Sequence, residues 1–322
     1  MQNINNYRDA LIQQMDKLSF DKKPINLYAP LSYFLSLGGK KTRPTLTLMG
    51  CSLFGKPGIK ALNAAIAVEL FHNFSLIHDD IMDEAPLRRG NKTVHEKWNI
   101  NTAILSGDVL FVKAYQYLAN NEAKYLPGLL AVFSKTAVEV CEGQQLDMDF
   151  ETRNDVSIEE YIEMIRLKTS VLLGGALQLG AIIGEANEEQ QRHIYEFGEK
   201  IGIAFQLQDD YLDLFGDAEN FGKQIGGDII ANKKTFLLLK SFEMSNQTQR
   251  ERLNEMMNMT DELKKVETAI AIFQEIGVDK IAKELMQQYY LDAKTALKKI
   301  DVPEENKVDL INLGKYIIER EI

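Results

Sequence analysis

The chain contains only two cysteines, Cys51 and Cys141, and only seven prolines among its 322 residues. Two cysteines are too few for a disulfide framework and are typical of a reducing compartment, so we expect a cytoplasmic protein. No proline lies between Pro127 and Pro303, which allows long uninterrupted helices there. Alternating β-branched residues are scarce, and apolar residues recur every three to four positions instead. The sequence therefore predicts an all-α protein.

Positive charge and long apolar runs are also in short supply. The 37 lysines and arginines face 47 aspartates and glutamates, and the net charge of −10 argues against a nucleic-acid partner. The longest apolar stretch, residues 171–184, contains Gln178 and is too short to span a bilayer. The first residues lack the apolar core of a signal peptide. We therefore expect no integral membrane segment, and the sequence leaves peripheral membrane contact open.

No glycine- or serine-rich linker and no change in composition divides the chain. We therefore expect one domain over residues 1–322, a helical bundle around a central cavity. The apolar periodicity predicts helices at residues 3–18, 28–36, 41–53, 57–82, 92–119, 125–148, 157–185, 188–214, 231–243, 248–257, 260–274, 276–298 and 303–321. Residues 84–91 contain both a proline and a glycine, and residues 216–232 contain four glycines. Both segments are therefore predicted to form loops.

Two copies of the motif D-D-x-x-D are the most specific feature of the sequence. They occupy residues 79–83 and 209–213, and both follow apolar sequence that predicts a buried helix. Positions i and i+4 lie about 40° apart around a helix axis, so the first and last aspartates of each motif share a face. The candidate metal ligands are Asp79, Asp80, Asp83, Asp209, Asp210 and Asp213.

Clustered carboxylates in apolar surroundings repel each other and resist the loss of water, and a bound cation relieves both effects. Oxygen-only ligands suit Mg²⁺, which keeps several waters and binds one or two carboxylates together with substrate phosphates. One such motif alone is more often a solvated helix face. Two matched copies on two buried helices favour a Mg²⁺-diphosphate site shared between the helices.

Basic residues lie beside these landmarks in an otherwise acidic chain. The candidate cations are Lys40, Arg43, Arg88, Arg89, Lys168, Lys223 and Lys233. Residues 37–44 join two glycines to two of these cations, and exposed backbone N–H groups with positive charge bind phosphate. Their spacing is not that of a Walker A loop. Each cation alone fits a solvated surface charge, but together they predict a ligand with a polyanionic head and a hydrocarbon tail. Such a site suits a reaction in which diphosphate leaves and an allylic cation forms.

These residues make the chain resemble the trans-isoprenyl diphosphate synthases, also known as polyprenyl synthetases. The resemblance runs along nearly the whole chain. The matching segments are Gly38-Gly39-Lys40…Arg43-Pro44, His72, the first aspartate motif with Arg88-Arg89-Gly90, Gly107-Asp108, Gly143-Gln144, Lys168-Thr169, Phe205-Gln206 with the second aspartate motif, and Phe221-Gly222-Lys223…Gly227-Asp228…Lys233…Thr235.

The resemblance implies a homodimeric all-α enzyme that condenses isopentenyl diphosphate with an allylic diphosphate, head to tail. It implies about three Mg²⁺ per active site, with Mn²⁺ as a possible substitute. The direct ligands would be Asp79, Asp83 and Asp209, with Asp80, Asp210 and Asp213 nearby. The allylic diphosphate would be bound by Arg88, Lys168 and Lys233, with Lys223 as a further substrate-binding cation. Isopentenyl diphosphate would be bound by Lys40, Arg43, His72 and Arg89. The allylic cation would be stabilised by oxygens of Thr169 and Gln206, and the released pyrophosphate would take the proton.

Three other functions remain open at this point. A class I terpene cyclase also uses D-D-x-x-D, but its second metal motif mixes Asn or Asp with Ser, Thr and Glu, and it needs no second diphosphate site. A carboxylate-bridged di-iron bundle needs two Glu-x-x-His motifs, and only residues 69–72 fit. A catalytically silent partner subunit is the non-enzyme alternative, and the intact aspartate motifs argue against it.

The residue that limits product length is predicted to be Phe74, five positions before Asp79 and about 7–8 Å along the helix. By resemblance, a bulky aromatic residue there forms the floor of the tail pocket, and Ser75 beside it is small. One aromatic residue without an insertion between the aspartates favours geranylgeranyl diphosphate as product. Farnesyl diphosphate is the alternative, and simple packing of Phe74 remains open.

Overall fold

A computed structural model describes residues 2–216 and 225–319, and these ranges are helical apart from turns and one small hairpin. The all-α prediction is confirmed. The helices are α1 (Gln2–Met15), α2 (Ile25–Ser36), α3 (Thr42–Leu53), α4 (Leu62–Met82), α5 (Val94–Lys97), α6 (Ile100–Ala119), α7 (Leu126–Thr152), α8 (Ile158–Ile165), α9 (Val171–Ile183), α10 (Glu188–Phe215), α11 (Gly227–Ile230), α12 (Phe236–Met244), α13 (Gln247–Met257), α14 (Glu262–Ile276), α15 (Val278–Lys298) and α16 (Glu304–Glu319). The remaining elements are a 3-10 helix (Gly58–Ala61), a π-helix (Arg166–Ser170) and the strands β1 (Leu87–Arg88) and β2 (Asn91–Lys92).

The described residues pack into two compact units. The first contains residues 2–137, 175–195 and 300–310, and the second contains residues 138–174, 196–216, 225–299 and 311–319. That the whole chain forms one domain stays a prediction. None of the described helices has the length and apolar character needed to cross a membrane.

Helix α4 is the centre of the first unit. Its residues 64–71, apolar apart from Glu69, are all buried, as the sequence predicts, and the helix packs mainly against α6 and α3. The unit also contains a close backbone contact between α3 and α9. A Cβ atom on Gly50 would lie 2.3 Å from the Leu177 carbonyl oxygen, and one on Gly180 would lie 2.0 Å from that of Thr47. Only glycine lets these helices approach so closely.

The core of the second unit lies around helix α10. The buried apolar residues Ile203, Leu207 and Leu214 of α10 belong to one cluster with Leu238 of α12 and Phe273 of α14. The three α10 residues are spaced by four and seven positions, which directs them to one helix face. This packing fixes the helix that carries the second aspartate motif.

A two-stranded hairpin follows the first aspartate motif, in the segment predicted to be non-helical. Leu87 pairs with Lys92 and Arg88 with Asn91, which leaves Arg89-Gly90 as the two-residue turn. Both turn residues have positive φ, 52° and 74°. A two-residue turn with φ positive at both positions is of type I′, whose twist matches that of antiparallel strands. The hairpin therefore presents two adjacent arginines close to the end of α4.

Four predicted segments differ in detail. The predicted helix 57–82 begins with a 3-10 turn, and the predicted helix 92–119 is broken before α6, where the Asn99 side chain accepts a bond from Thr102 N–H at 2.8 Å. This cap starts a new helix. The predicted helix 157–185 is interrupted by the π-helix. The loop prediction for residues 216–232 is wrong at α11, and residues 217–224 lie outside the described ranges.

Candidate active site

The first aspartate motif ends helix α4. Asp79 is partly buried, and Asp83 is the exposed C-cap residue, whose N–H donates to the Asp79 carbonyl at 2.8 Å. Asp80 is only 1% exposed. The Nε–H of Arg88 donates to its two carboxylate oxygens, at 2.7 and 2.9 Å. Burial raises the pKa of Asp80, against the opposing effect of Arg88. Asp80 thus holds Arg88 in place, while Asp79 and Asp83 share a different side of the helix.

His72 lies two turns before Asp79 on the same face of α4, about 10 Å along the axis. Its Nε2 is 3.1 Å from Nη1 of Arg43. Arginine can only donate, so Nε2 accepts and the imidazole proton is on Nδ1. Burial, followed by the positive charge of Arg43 and then Arg89, lowers the pKa of His72 well below its ordinary value. The imidazole is therefore neutral at physiological pH and orients Arg43 by accepting from it.

Arg89 reaches from the hairpin turn to the glycine loop before α3. Its Nη1 donates to the carbonyl of Gly38, and its guanidinium fills the space that a Cβ on Gly39 would occupy, 2.8 Å from Nη2. Lys40 is exposed on the same loop. The structure thus brings Arg43, His72 and Arg89 together in the first unit, as the sequence predicts for one diphosphate site, with Lys40 at its edge.

The second aspartate motif lies near the end of α10. Asp210 is buried, and its carboxylate accepts from Tyr161 Oη at 2.5 Å and from Gln206 Nε2 at 2.9 Å. Gln206 in turn accepts from Thr169 Oγ1 at 3.1 Å. Burial and then the negative charge of Asp228 raise the pKa of Asp210 to about 7. This hydrogen-bonded chain fixes the side chains of Thr169 and Gln206, which were predicted to face an allylic cation.

The last aspartate of this motif connects to the start of α11. The Asp213 carboxylate accepts from the backbone N–H of Asp228 at 3.0 Å, and its carbonyl accepts from Gly226 N–H at 2.6 Å. Asp209, one turn earlier, is partly buried. These contacts hold Asp213 in place, with Asp209 on the same face of α10.

Lys168 and Thr169 belong to the π-helix between α8 and α9. Such π-turns are rare overall, and those that occur are often found at functional sites. A Cβ on Gly143 of α7 would lie 2.1 Å from the Lys168 backbone nitrogen, so glycine is required where α7 crosses the turn. The Lys168 ammonium forms an ion pair with Asp147, also of α7. The ammonium of Lys233 lies 3.9 Å from the same Asp147 oxygen.

Asp147, Tyr161 and Glu69 are polar residues of these sites that the motifs did not predict. Burial alone would raise the pKa of Asp147, but the charges of Lys233 and Lys168 outweigh it and the pKa is lowered. Asp147 is thus a carboxylate shared by two lysines predicted to bind diphosphate. In the sequence, Asp147 is a single aspartate three positions after Gln144, and nothing there distinguishes it from a surface charge.

Phe74 lies in a cluster of aromatic side chains between α4 and α6. Its ring stacks on that of Phe111, with centroids 4.8 Å apart and planes at 19°, and contacts His78 at 4.7 Å. Behind this pair, Tyr115 and Phe133 pack edge to face at 5.1 Å. Phe74 is therefore one half of a stacked pair. The remaining predicted residue, Lys223, lies outside the described residues.

The donor set of the two motifs fits a hard divalent cation such as Mg²⁺. Every candidate donor is a carboxylate oxygen, and each motif places two of them one turn apart. In the described parts of the chain, no group of three or more His, Cys, Asp or Glu side chains forms a ready-made cage. Mg²⁺ does not require one, because substrate phosphates and water complete its coordination.

Comparison with known proteins identifies relatives over almost the entire length. The family model described as polyprenyl synthetase matches residues 24–275. A geranylgeranyl diphosphate synthase of Methanosarcina mazei is 38% identical, over 100% of this chain and 97% of that protein. A short chain isoprenyl diphosphate synthase of Methanothermobacter thermautotrophicus is 37% identical, over 99% and 98%. The solved structure of a geranylgeranyl pyrophosphate synthetase from Pyrococcus horikoshii is 36% identical with a TM-score of 0.93, and 99% of each chain is covered.

Proposed function

We propose that this chain, which belongs to the polyprenyl synthetase family and is a prenyltransferase, condenses isopentenyl diphosphate with an allylic diphosphate to give geranylgeranyl diphosphate. The match to the family model and to the relatives confirms the family that the motifs predicted. Farnesyl diphosphate is the alternative product.

The observation that carries this proposal is a second cationic group beside the first aspartate motif. Arg88 lies against Asp80, and Arg43 and Arg89 gather around His72, about two turns earlier on α4. A cyclase that ionises one prenyl diphosphate needs a single anion site. Cations both at the end of α4 and about two turns earlier support a reaction between two diphosphate substrates.

We propose that Mg²⁺, about three ions per active site, is held by Asp79, Asp83 and Asp209, with Asp213 nearby. The oxygen-only donors support this ion, and Mn²⁺ offers similar chemistry. When bound, magnesium supplies the positive charge that stabilises the departing pyrophosphate. Asp80 and Asp210 contribute as residues that hold Arg88 and Gln206 in place.

The chemistry begins when the C–O bond of the allylic diphosphate breaks and both bonding electrons leave with pyrophosphate. Arg88, Lys168 and Lys233, together with Lys223, bind that group and stabilise its growing charge. When the substrate binds, the ammonium groups of the two lysines that share Asp147 pair with the diphosphate oxygens in place of this carboxylate. Because their ammoniums already converge, little reorganisation is needed when the diphosphate binds.

The π-electrons of isopentenyl diphosphate then attack the allylic cation and form the new C–C bond. Thr169 Oγ1 and Gln206 Oε1 are held by the chain of hydrogen bonds to Asp210, and they direct oxygen lone pairs toward the cation. Loss of a proton from the adjacent carbon restores the double bond. Pyrophosphate takes this proton, so no side-chain base is required.

Isopentenyl diphosphate is held by Lys40, Arg43, Arg89 and the neutral His72. Phe74, stacked on Phe111, closes the end of the space for the growing tail. The helical spacing of about 7–8 Å between Phe74 and Asp79 supports a limited product length.

We further propose a homodimer in the cytoplasm. Helix α6 exposes Ile100, Ile104, Leu105 and Val112 by 54%, 40%, 57% and 57%, and the helical period places them on one face. An exposed apolar face of this kind is typical of a subunit interface. Light scattering measures the mass directly, since one chain is 36.6 kDa.

The product is tested by incubating the purified chain with isopentenyl diphosphate, Mg²⁺ and each allylic primer in turn. Chromatography of the dephosphorylated products is expected to give the twenty-carbon alcohol as the main species. A fifteen-carbon main product would support the farnesyl alternative. Consumption of an allylic substrate without isopentenyl diphosphate would support a cyclase.

A further inference from the structure

The glycine loop before α3 has little packing on one side. Three residues of this loop (residues 38–41) have positive φ: 77° at Gly38, 132° at Gly39 and 52° at Lys41. A cavity of about 320 Å³ borders this loop, lined also by Ile12 and Met15 of α1. A loop that borders a cavity is not held by close packing on that side. Its position therefore depends on specific tethers.

One tether is a buried ion pair between the loop and α4. Lys41 is 8% exposed and Glu69 is 2% exposed, and Nζ of Lys41 lies 2.8 Å from Oε1 of Glu69. Asn73, one turn further along α4, donates to the same Glu69 oxygen at 2.9 Å. Lysine and glutamate are almost never fully buried unless they are paired. The pair is therefore a built feature of the first unit.

The direction of the Lys41 side chain is set at a conformational cost. Its φ of 52° lies in the left-handed region, which is strained for a residue with a Cβ. Its neighbour Lys40 is exposed. The strained backbone thus separates two adjacent lysines, so that one anchors the loop and the other remains accessible.

Both ends of the ion pair lie beside residues of the proposed isopentenyl diphosphate site. Lys41 lies between Lys40 and Arg43 in the chain, and Glu69 lies three residues before His72 on α4. Arg43 is the second residue of α3, directly after the loop, so moving this end of α3 relative to α4 would separate Arg43 from His72, which lie 3.1 Å apart. The ion pair holds the start of α3 at a defined distance and direction from α4, which apolar packing alone does not provide.

We propose that Lys41 and Glu69 are positioning residues for isopentenyl diphosphate: their buried ion pair holds the glycine loop (residues 38–41) and the start of α3 on α4, and so aligns Lys40 and Arg43 with His72. This inference rests on the proposed function of that site. Neither residue needs to touch the substrate.

The test uses the difference between folding and alignment. Removing one partner, as in Lys41→Met or Glu69→Leu, leaves a buried charge unpaired and is expected to lower Tm strongly. The double variant Lys41→Met/Glu69→Leu replaces the pair by apolar side chains, and such replacements are often neutral or stabilising. We expect the double variant to recover most of the lost Tm. We also expect its KM for isopentenyl diphosphate to stay raised about tenfold or more, as for one lost phosphate contact.

Two further measurements separate positioning from general damage. In the double variant, KM for the allylic diphosphate should stay within about twofold of the original chain. The conservative variant Lys41→Arg keeps the charge and should restore much of the isopentenyl diphosphate KM. The control is Lys307→Met, because Lys307 is also a buried lysine in an ion pair, 2.7 Å from the exposed Glu304, in the same unit. It should leave both KM values unchanged, whatever its effect on Tm.

The proposal is overturned if the double variant recovers the isopentenyl diphosphate KM together with Tm, since the pair then serves only folding. It is also overturned if both KM values rise equally. A failure of the proposed function is distinguishable, because the original chain itself would then form no condensation product.

Discussion

Asp79 and Asp80 are adjacent in sequence but lie on different sides of α4, and Arg88 binds Asp80. We predict that Asp79→Asn lowers kcat by about 10²–10³-fold or more with little change in Tm, because it changes a proposed metal ligand that acts in the transition state. Asp80→Asn should instead destabilise the fold by about 1.5–3 kcal/mol, because a charge-assisted hydrogen bond is weakened. Kinetics and thermal melts on both variants check this. The same loss of Tm in both would contradict the separate roles.

His72 makes a prediction about pH. Its lowered pKa means that the folded state binds this proton less readily than the unfolded state does. The stability is therefore intact above about pH 6.5, the ordinary pKa of histidine, and falls as pH drops from there toward the lowered pKa. His72→Gln keeps an acceptor for Arg43 without titrating. We expect its Tm to fall less than that of the original chain between pH 7 and pH 5, and parallel curves would refute the claim.

Phe74 and Phe111 form a stacked pair, so the prediction for product length concerns both rings. If the pair is the floor of the tail pocket, Phe74→Ala should lengthen the product by at least one five-carbon unit. Phe111→Ala should shift the products in the same direction, because Phe74 then loses its support. If the rings serve only packing, each change leaves a cavity costing about 3–5 kcal/mol and leaves the product unchanged. Product chromatography with a thermal melt decides.

At the residue scale, the sequence predicted residues that belong to repeated or spaced motifs. Arg43, His72 and Arg89 are found together, and so are Thr169, Gln206 and Asp210. Single partners could not be predicted. Nothing in sequence spacing indicates that Tyr161 donates to Asp210, 49 positions away, because that contact depends on how helices pack.

At the scale of elements, the hairpin and the glycine loop meet through one arginine. A Cβ on Gly39 would displace the Arg89 guanidinium, whereas a Cβ on Gly38 would meet no atom within 4 Å. Both glycines have positive φ, so alanine is strained at either position. We predict that Gly39→Ala raises KM for isopentenyl diphosphate about tenfold, and that Gly38→Ala lowers Tm with a much smaller effect on KM. Equal KM values in the two variants would show that the Arg89 contact is not used.

The long helices followed from apolar periodicity, and their interruptions did not. The break before α6 depends on the side chain of Asn99, and asparagine occurs both in caps and in solvated loops. The π-helix depends on the close crossing of α7 at Gly143, which is a tertiary contact. The periodicity of residues 157–185 is compatible with one continuous helix, so sequence alone could not reveal this turn.

At the scale of the whole molecule, the central claim is a metal-dependent reaction between two diphosphate substrates. The most direct measurement is the release of pyrophosphate from an allylic diphosphate, with and without isopentenyl diphosphate and with and without Mg²⁺. We predict that fast release requires isopentenyl diphosphate and metal together, matches the formation of a longer prenyl diphosphate, and stops when a chelator is added. Equally fast release without isopentenyl diphosphate, or full turnover in metal-free buffer, would contradict the account.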